Sequence, residues 1–141
     1  MKRVRRLGIV TGTTIVTSLF FISSNAFAWT SELRGVRVGF PSRTWSDQGY
    51  TEINFTHCTT DFSGRASVDV QLVRVDTTPD TYYATKHFTE CFTLGDGDET
   101  STGTWSGLPA GDYRFFIKAI NNADVNVLSV DKVNVDTTKA D

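Results

Sequence analysis

Residues 106–120 read SGLPAGDYRFFIKAI, and the second half of that stretch has a period of two. Tyr113, Phe115, Ile117 and Ala119 occupy one set of alternate positions; Phe116, Lys118 and Ile120 occupy the other. Successive side chains of an extended chain point to opposite faces, so this spacing predicts a strand packed on a core. Ahead of it, Pro109 fixes φ and Gly111 tolerates a positive φ, which predicts a sharp turn over Leu108–Gly111. The stretch reads as the entry of a central strand into a sheet, an architectural feature and not the rim of a site.

Other runs share the period. Arg34–Phe40 alternates through Val36, Val38 and Phe40, and Tyr50–His57 through Ile53 and Phe55. In Ala66–Val75, Val68, Val70 and Leu72 lie on one face and Val73 and Val75 on the other, which predicts a bulge or burial on both faces. Thr81–Phe92 reads as a strand or strand pair, and Val125–Val135 as a long strand with a kink or bulge at Ser129–Asp131. Between the runs stand turn residues: Asp61–Gly64, Asp76–Asp80, Asn121–Asp124 and a polar gap over Gly95–Gly103. Helical periodicity is missing throughout. Six or seven strands over about 105 residues, with turns between them, predict one antiparallel β-sandwich of immunoglobulin-like size, with a small β-barrel as the alternative.

The first 28 residues read differently. Lys2, Arg3, Arg5 and Arg6 precede an uncharged, mostly apolar run over 7–22, and Ala26-Phe27-Ala28 has the small-x-small form of a cleavage site. That is the pattern of a secretory signal cut after Ala28. A membrane span needs about 20 apolar residues, more than this run supplies. Gly8 sits where a twin-Arg signal at Arg5-Arg6 favours an apolar residue, and the first cysteine, Cys58, is too far on for a lipoprotein. The expected product is a secreted, extracellular domain over 29–141 with a frayed tail at 136–141. Removal of the leader takes four basic residues and no acidic one, moving the formal charge from −2 to −6. A scattered acidic surface argues against nucleic acid and against an anionic membrane as partners.

Cys58 and Cys91 are the only cysteines, and in an exported chain two thiols are expected to pair. Zinc is the competing reading, because His57 and His87 lie nearby in sequence. Strand geometry disfavours it: His57 and Cys58 would project to opposite faces, and His87 and Cys91 would stand about 13 Å apart.

Catalytic patterns are weak. Gly103-Thr104-Trp105-Ser106-Gly107 has the wrong spacing for a nucleophile elbow. Glu32, Glu52, Glu90 and Glu99 are scattered where glycoside hydrolysis needs a facing carboxylate pair. Asp96, Asp98 and Glu99 cluster oxygen ligands in a way that suits calcium, without the spacing of an EF-hand. No cofactor and no enzymatic activity are expected. The tryptophans are more informative. An exposed Trp on a β-sandwich stacks on a sugar face, whereas a buried one caps the core. Trp45, flanked by Arg43 and Asp47 in a polar stretch, and Trp105, just before the Leu108–Gly111 turn, are the candidate ligand contacts. The expected function is non-catalytic recognition of a polysaccharide, a cell-wall component or a protein. The alternative is a secreted effector, a protease inhibitor or an antagonistic toxin, that presents Asp76–Thr81 or Gly95–Gly103.

Overall fold

The computed structural model describes residues 28–93 and 99–138. The predicted leader up to residue 27, Asp96 and Asp98 of the acidic cluster, and the last three residues of the tail lie outside the described residues. Six antiparallel strands form one sheet: β1 Ala28–Val36, β2 Trp45–Thr60, β3 Val68–Val75, β4 Thr81–Phe88, β5 Thr100–Ile120 and β6 Leu128–Asp136. The spatial order is β1-β6-β2-β5-β3-β4. A single 3₁₀ turn, Glu90–Phe92, follows β4. The predicted all-β antiparallel sandwich is therefore the observed architecture. The sheet does not close into a barrel, since β1 and β4 remain as edges.

One sheet makes two layers because β5 serves both. Its first part, Thr100–Tyr113, pairs with β2, and its last part, Asp112–Ile120, pairs with β3. The crossing falls within the stretch that opened the sequence reading. The β2–β5 register slips between Asp47/Gly49 and again between Gly49/Tyr50. The first slip leaves Pro109 and Ala110 without partners, which suits a residue that has no N–H to give. The second sets Gly107, at φ 66°, out of the ladder. Paired bulges bend and twist a strand. Leu108–Gly111 is therefore a bend within one 21-residue strand, not the chain-reversing turn expected from Pro109 and Gly111. Tyr113 locks the bend: its buried hydroxyl donates to the Pro109 carbonyl four residues back, as corner tyrosines do in other sandwiches.

Beyond the crossing, residues 39–42 take the side of β5 that β2 has left. Gly39 N–H donates to the Ile117 carbonyl at 2.8 Å, Ile117 N–H to the Phe40 carbonyl at 3.1 Å, and Ser42 N–H to the Phe115 carbonyl at 2.8 Å. The expected strand Arg34–Phe40 is accordingly split. β1 ends at Val36, and the chain turns before rejoining the sheet at Pro41.

The alternating residues meet between the layers. Phe55 of β2 lies edge-on to Phe88 of β4 at 5.2 Å and to Phe115 of β5 at 5.6 Å between ring centroids. Val68, Val70, Leu72, Ile53, Ile117, Val133 and Val135 fill the space around them and are fully buried. Val73 is also fully buried but stands outside this cluster, on the opposite face of β3. The β3–β4 register slips between Gln71 and Val73 with the extra residue on β4, so of the two outcomes predicted for Ala66–Val75 the one seen at Leu72 and Val73 is burial on both faces. Irregular β1–β6 pairing between Leu33↔Val130 and Ser31↔Val133 matches the kink expected near Ser129–Asp131.

Cys58 and Cys91 form the expected disulfide, with Cα atoms 5.0 Å apart. It ties the end of β2 to the 3₁₀ turn, so the expected strand Thr81–Phe92 stops at Phe88. Around it, Ser101 accepts from the Cys91 N–H at 2.9 Å.

Candidate functional site

Trp45 is the first residue of β2, not a loop residue, and its position there is set by pairing with Tyr113. Antiparallel partners share a face, so Trp45 follows Tyr113 into the core. It is 3% exposed, and its ring lies 6.4 Å from Phe115 and 6.0 Å from Trp29 of β1. Trp105 is 5% exposed, facing inward with Ser101 and Gly103 at period two. Its indole N–H donates to the Ala84 carbonyl of β4 at 2.7 Å. Of the two readings open to each tryptophan, the structure takes the core for both. Neither ring presents a free face to a sugar.

The two polar neighbours of Trp45 are placed differently. Arg43 is exposed, and its guanidinium lies over the Trp29 ring, 4.0 Å from the centroid. It makes no ion pair among the described residues. Stacking on an indole holds a guanidinium by its flat face and leaves the N–H groups at its rim available. The indole N–H groups of Trp29 and of its neighbour Trp45 are both buried without a hydrogen-bond partner. Arg43 and Trp45 are thus brought together, with Trp29 as the third member. Trp29 was legible in the sequence as an aromatic residue but not as part of the group, because its contact with Trp45 is tertiary, between β1 and the start of β2.

Asp47 points inward two residues after Trp45 and is half-buried. The Thr51 hydroxyl and the Gln48 N–H donate to its two carboxylate oxygens. Burial raises its pKa, against the lowering effect of those two donors. Thr51 is the β2 residue paired with Trp105 of β5, so the buried hydroxyl that holds Asp47 stands opposite Trp105 in the ladder. On the far side of β5, the Arg74 stem crosses Gly111. A Cβ at Gly111 would come within 2.8 Å of Arg74 Cδ. Tyr83 and Tyr113 stand 6.1 Å apart beside it, and burial is the main cause that raises the Tyr113 pKa. Arg74 Nε donates to Asp76 at 2.9 Å.

The two histidines are occupied by carboxylates. His57 contacts Asp131, which also accepts from Arg34 at 2.8 Å, and His87 contacts Asp69. The His57 contact and then the Arg34 bond hold the Asp131 pKa below the usual carboxylate range. Both histidines are well exposed, and with both thiols in the disulfide no zinc set forms. Among the described residues, no group of three or more His, Cys, Asp and Glu is arranged to hold a metal. Of the acidic cluster, only Glu99 is described; one of its carboxylate oxygens is buried without a partner.

The Asp76–Thr81 turn is braced from within. Asp76 accepts from Arg74 and from the Thr81 hydroxyl at 2.7 Å. Asp80 accepts from the Asp76 N–H at 3.1 Å and from Arg114 at 3.0 Å. Thr77, Thr78 and Pro79 project from this frame into solvent, and Tyr82 next to it is 60% exposed.

No helix among the described residues is long and apolar enough to cross a membrane. Scans against protein-family models, curated proteins and solved structures find no match to the chain.

Proposed function

We propose that the chain is an exported, non-catalytic recognition module that binds an extracellular target, a polysaccharide or cell-wall component, through the sandwich end that carries Arg43. The observation behind this reading is the Arg43 guanidinium itself. It is exposed, held flat on Trp29, and free of any acidic partner among the described residues. A side chain ordered in advance by stacking loses less entropy on binding than a freely rotating one. The disulfide and the leader-like first 28 residues support an oxidising, extracellular destination. Co-sedimentation of the oxidised protein with purified cell walls and insoluble polysaccharides tests it, with Arg43→Ala alongside. Saturable binding that falls in the folded variant is expected. Undiminished binding by Arg43→Ala would move the site elsewhere on the domain, and no binding to any wall preparation would end the reading.

The braced Asp76–Thr81 turn favours a second reading, recognition of a secreted protein. A pre-ordered loop with an exposed Tyr beside it has the composition of an interface anchor. A panel of secreted proteases tests the inhibitor form; absence of inhibition at micromolar protein removes it.

A further inference from the structure

We propose that Arg43, Trp29 and Trp45 form a site for a carboxylate carried by the target of the recognition module. This rests on the reading of Arg43 as a ligand contact and adds the ligand's chemistry.

The argument is the composition of the donor set. Arg43 offers a planar fork of N–H donors, a shape that matches the two oxygens of a carboxylate. It stands 4.0 Å above Trp29, whose own ring is 6.0 Å from Trp45. Both indole N–H groups are buried and unpaired, although these residues are only 8% and 3% exposed. Buried donors in folded proteins are nearly always paired, so two orphans on neighbouring rings call for an acceptor. Trp105, the third tryptophan, shows the ordinary solution: its buried N–H is satisfied by the Ala84 carbonyl. A group made only of donors, one of them cationic, fits a ligand made of acceptors and carrying negative charge. Asp47, the nearest carboxylate along β2, does not supply it, because its oxygens are engaged by Thr51 and Gln48. Arg43 is exposed and lies in the loop between β1 and β2.

The three tryptophans provide their own controls. In a ¹H–¹⁵N spectrum of the oxidised protein each indole N–H gives one resonance, assigned by Trp→Phe substitution at Trp105 and by elimination. Oligogalacturonate supplies carboxylates on a sugar, a poly-glutamate peptide supplies them on a chain, and a neutral oligosaccharide of the same length supplies none. Addition of an acidic probe should move the Trp29 and Trp45 resonances downfield and leave Trp105 in place. Arg43→Ala should weaken the response at least tenfold, the loss expected for a charge-assisted hydrogen bond. Arg43→Lys, which keeps the charge but not the fork, should fall between. The arm that responds more strongly identifies the source of the carboxylate. The proposal is overturned by an equal response to the neutral probe, by undiminished binding in Arg43→Ala, or by silence of both resonances at millimolar acidic probe. Silence here together with Arg43-dependent cell-wall binding would refute the carboxylate while leaving the recognition module standing.

Discussion

Gly103 tests how the two layers are closed. It lies on the inner face of β5 between Ser101 and Trp105, with an ordinary backbone conformation that alanine also adopts. On backbone grounds alone Gly103→Ala would stabilise, by about 0.4–1 kcal/mol, because alanine has fewer unfolded states to lose. Packing opposes this. A Cβ at this position would lie 2.8 Å from Phe88 Cε1, 3.0 Å from Phe88 Cζ and 3.1 Å from Lys86 Cγ. The Lys86 stem can move. The Phe88 ring cannot easily do so: it is 1% exposed and held edge-on against Phe55 at 5.2 Å. Overpacking of a filled core costs about 1–3 kcal/mol. The steric cost exceeds the backbone gain, for a net loss of about 1–2 kcal/mol, or roughly 5–10 °C in Tm for a domain of this size. Urea and thermal unfolding with the disulfide intact measure it. The same substitution on a Phe88→Leu background should cost less, because leucine lacks the two ring atoms that the new methyl meets. A Tm unchanged or raised by Gly103→Ala would show that Phe88 is not seated against β5, and the described closure of β4 over the core would be wrong.

Other expectations follow from the same contacts. Reduction of Cys58–Cys91, which spans 33 residues of sequence, should lower stability by about 4 kcal/mol on the chain-entropy account, read as a fall in urea midpoint with reductant; an unchanged midpoint would contradict it. Asp47 has its pKa raised on folding, so its contribution is greatest below the unfolded value of 3.8 and is lost as pH rises through the raised value. The difference in stability between Asp47→Asn and wild type should therefore shift in favour of the variant across that interval, and a difference constant with pH would refute the assignment. Tyr50 is pushed up to about 12, first by burial and then by its hydrogen bond to Glu52. Its contribution is complete below pH 10 and lost as pH rises from about 10 to about 12; absorbance titration of wild type against Tyr50→Phe should show one phenol ionising late, and a normal titration would count against it.

What could be read in advance followed from local periodicity. The alternation of Tyr113–Ile120, Tyr50–His57 and Val68–Leu72 predicted strands because period two is a property of the backbone, and each is a strand, although the β3–β5 register slip at Lys118 puts Ile120 inside in place of Ala119. The disulfide was legible because the chain has two cysteines and a leader. The misreadings arose where pairing overrides local signals. Pro109 and Gly111 look like a turn, but the register slips opposite Asp47–Tyr50 let the strand carry them through as a bend. Trp45 sits in polar sequence, yet its partner Tyr113 draws it inward. Arg43 was picked out for its closeness to Trp45, and it does join a Trp-lined group. Its direct contact is Trp29, 14 positions earlier in sequence, and no local pattern connects those two.

Because β5 pairs with β2 along its first part and with β3 along its last, the two layers share one strand. Losing its hydrogen bonds to β2 would release the bend that aims its second half at β3, and losing β3 would strip Phe115 and Ile117 from the face opposite Phe55. At the margins of the order stand β1 and β4. Even β4 is stitched to the first half of β5 by the Trp105 indole. The domain is therefore expected to unfold in one cooperative step, without a stage in which one layer survives to expose its apolar face to other chains.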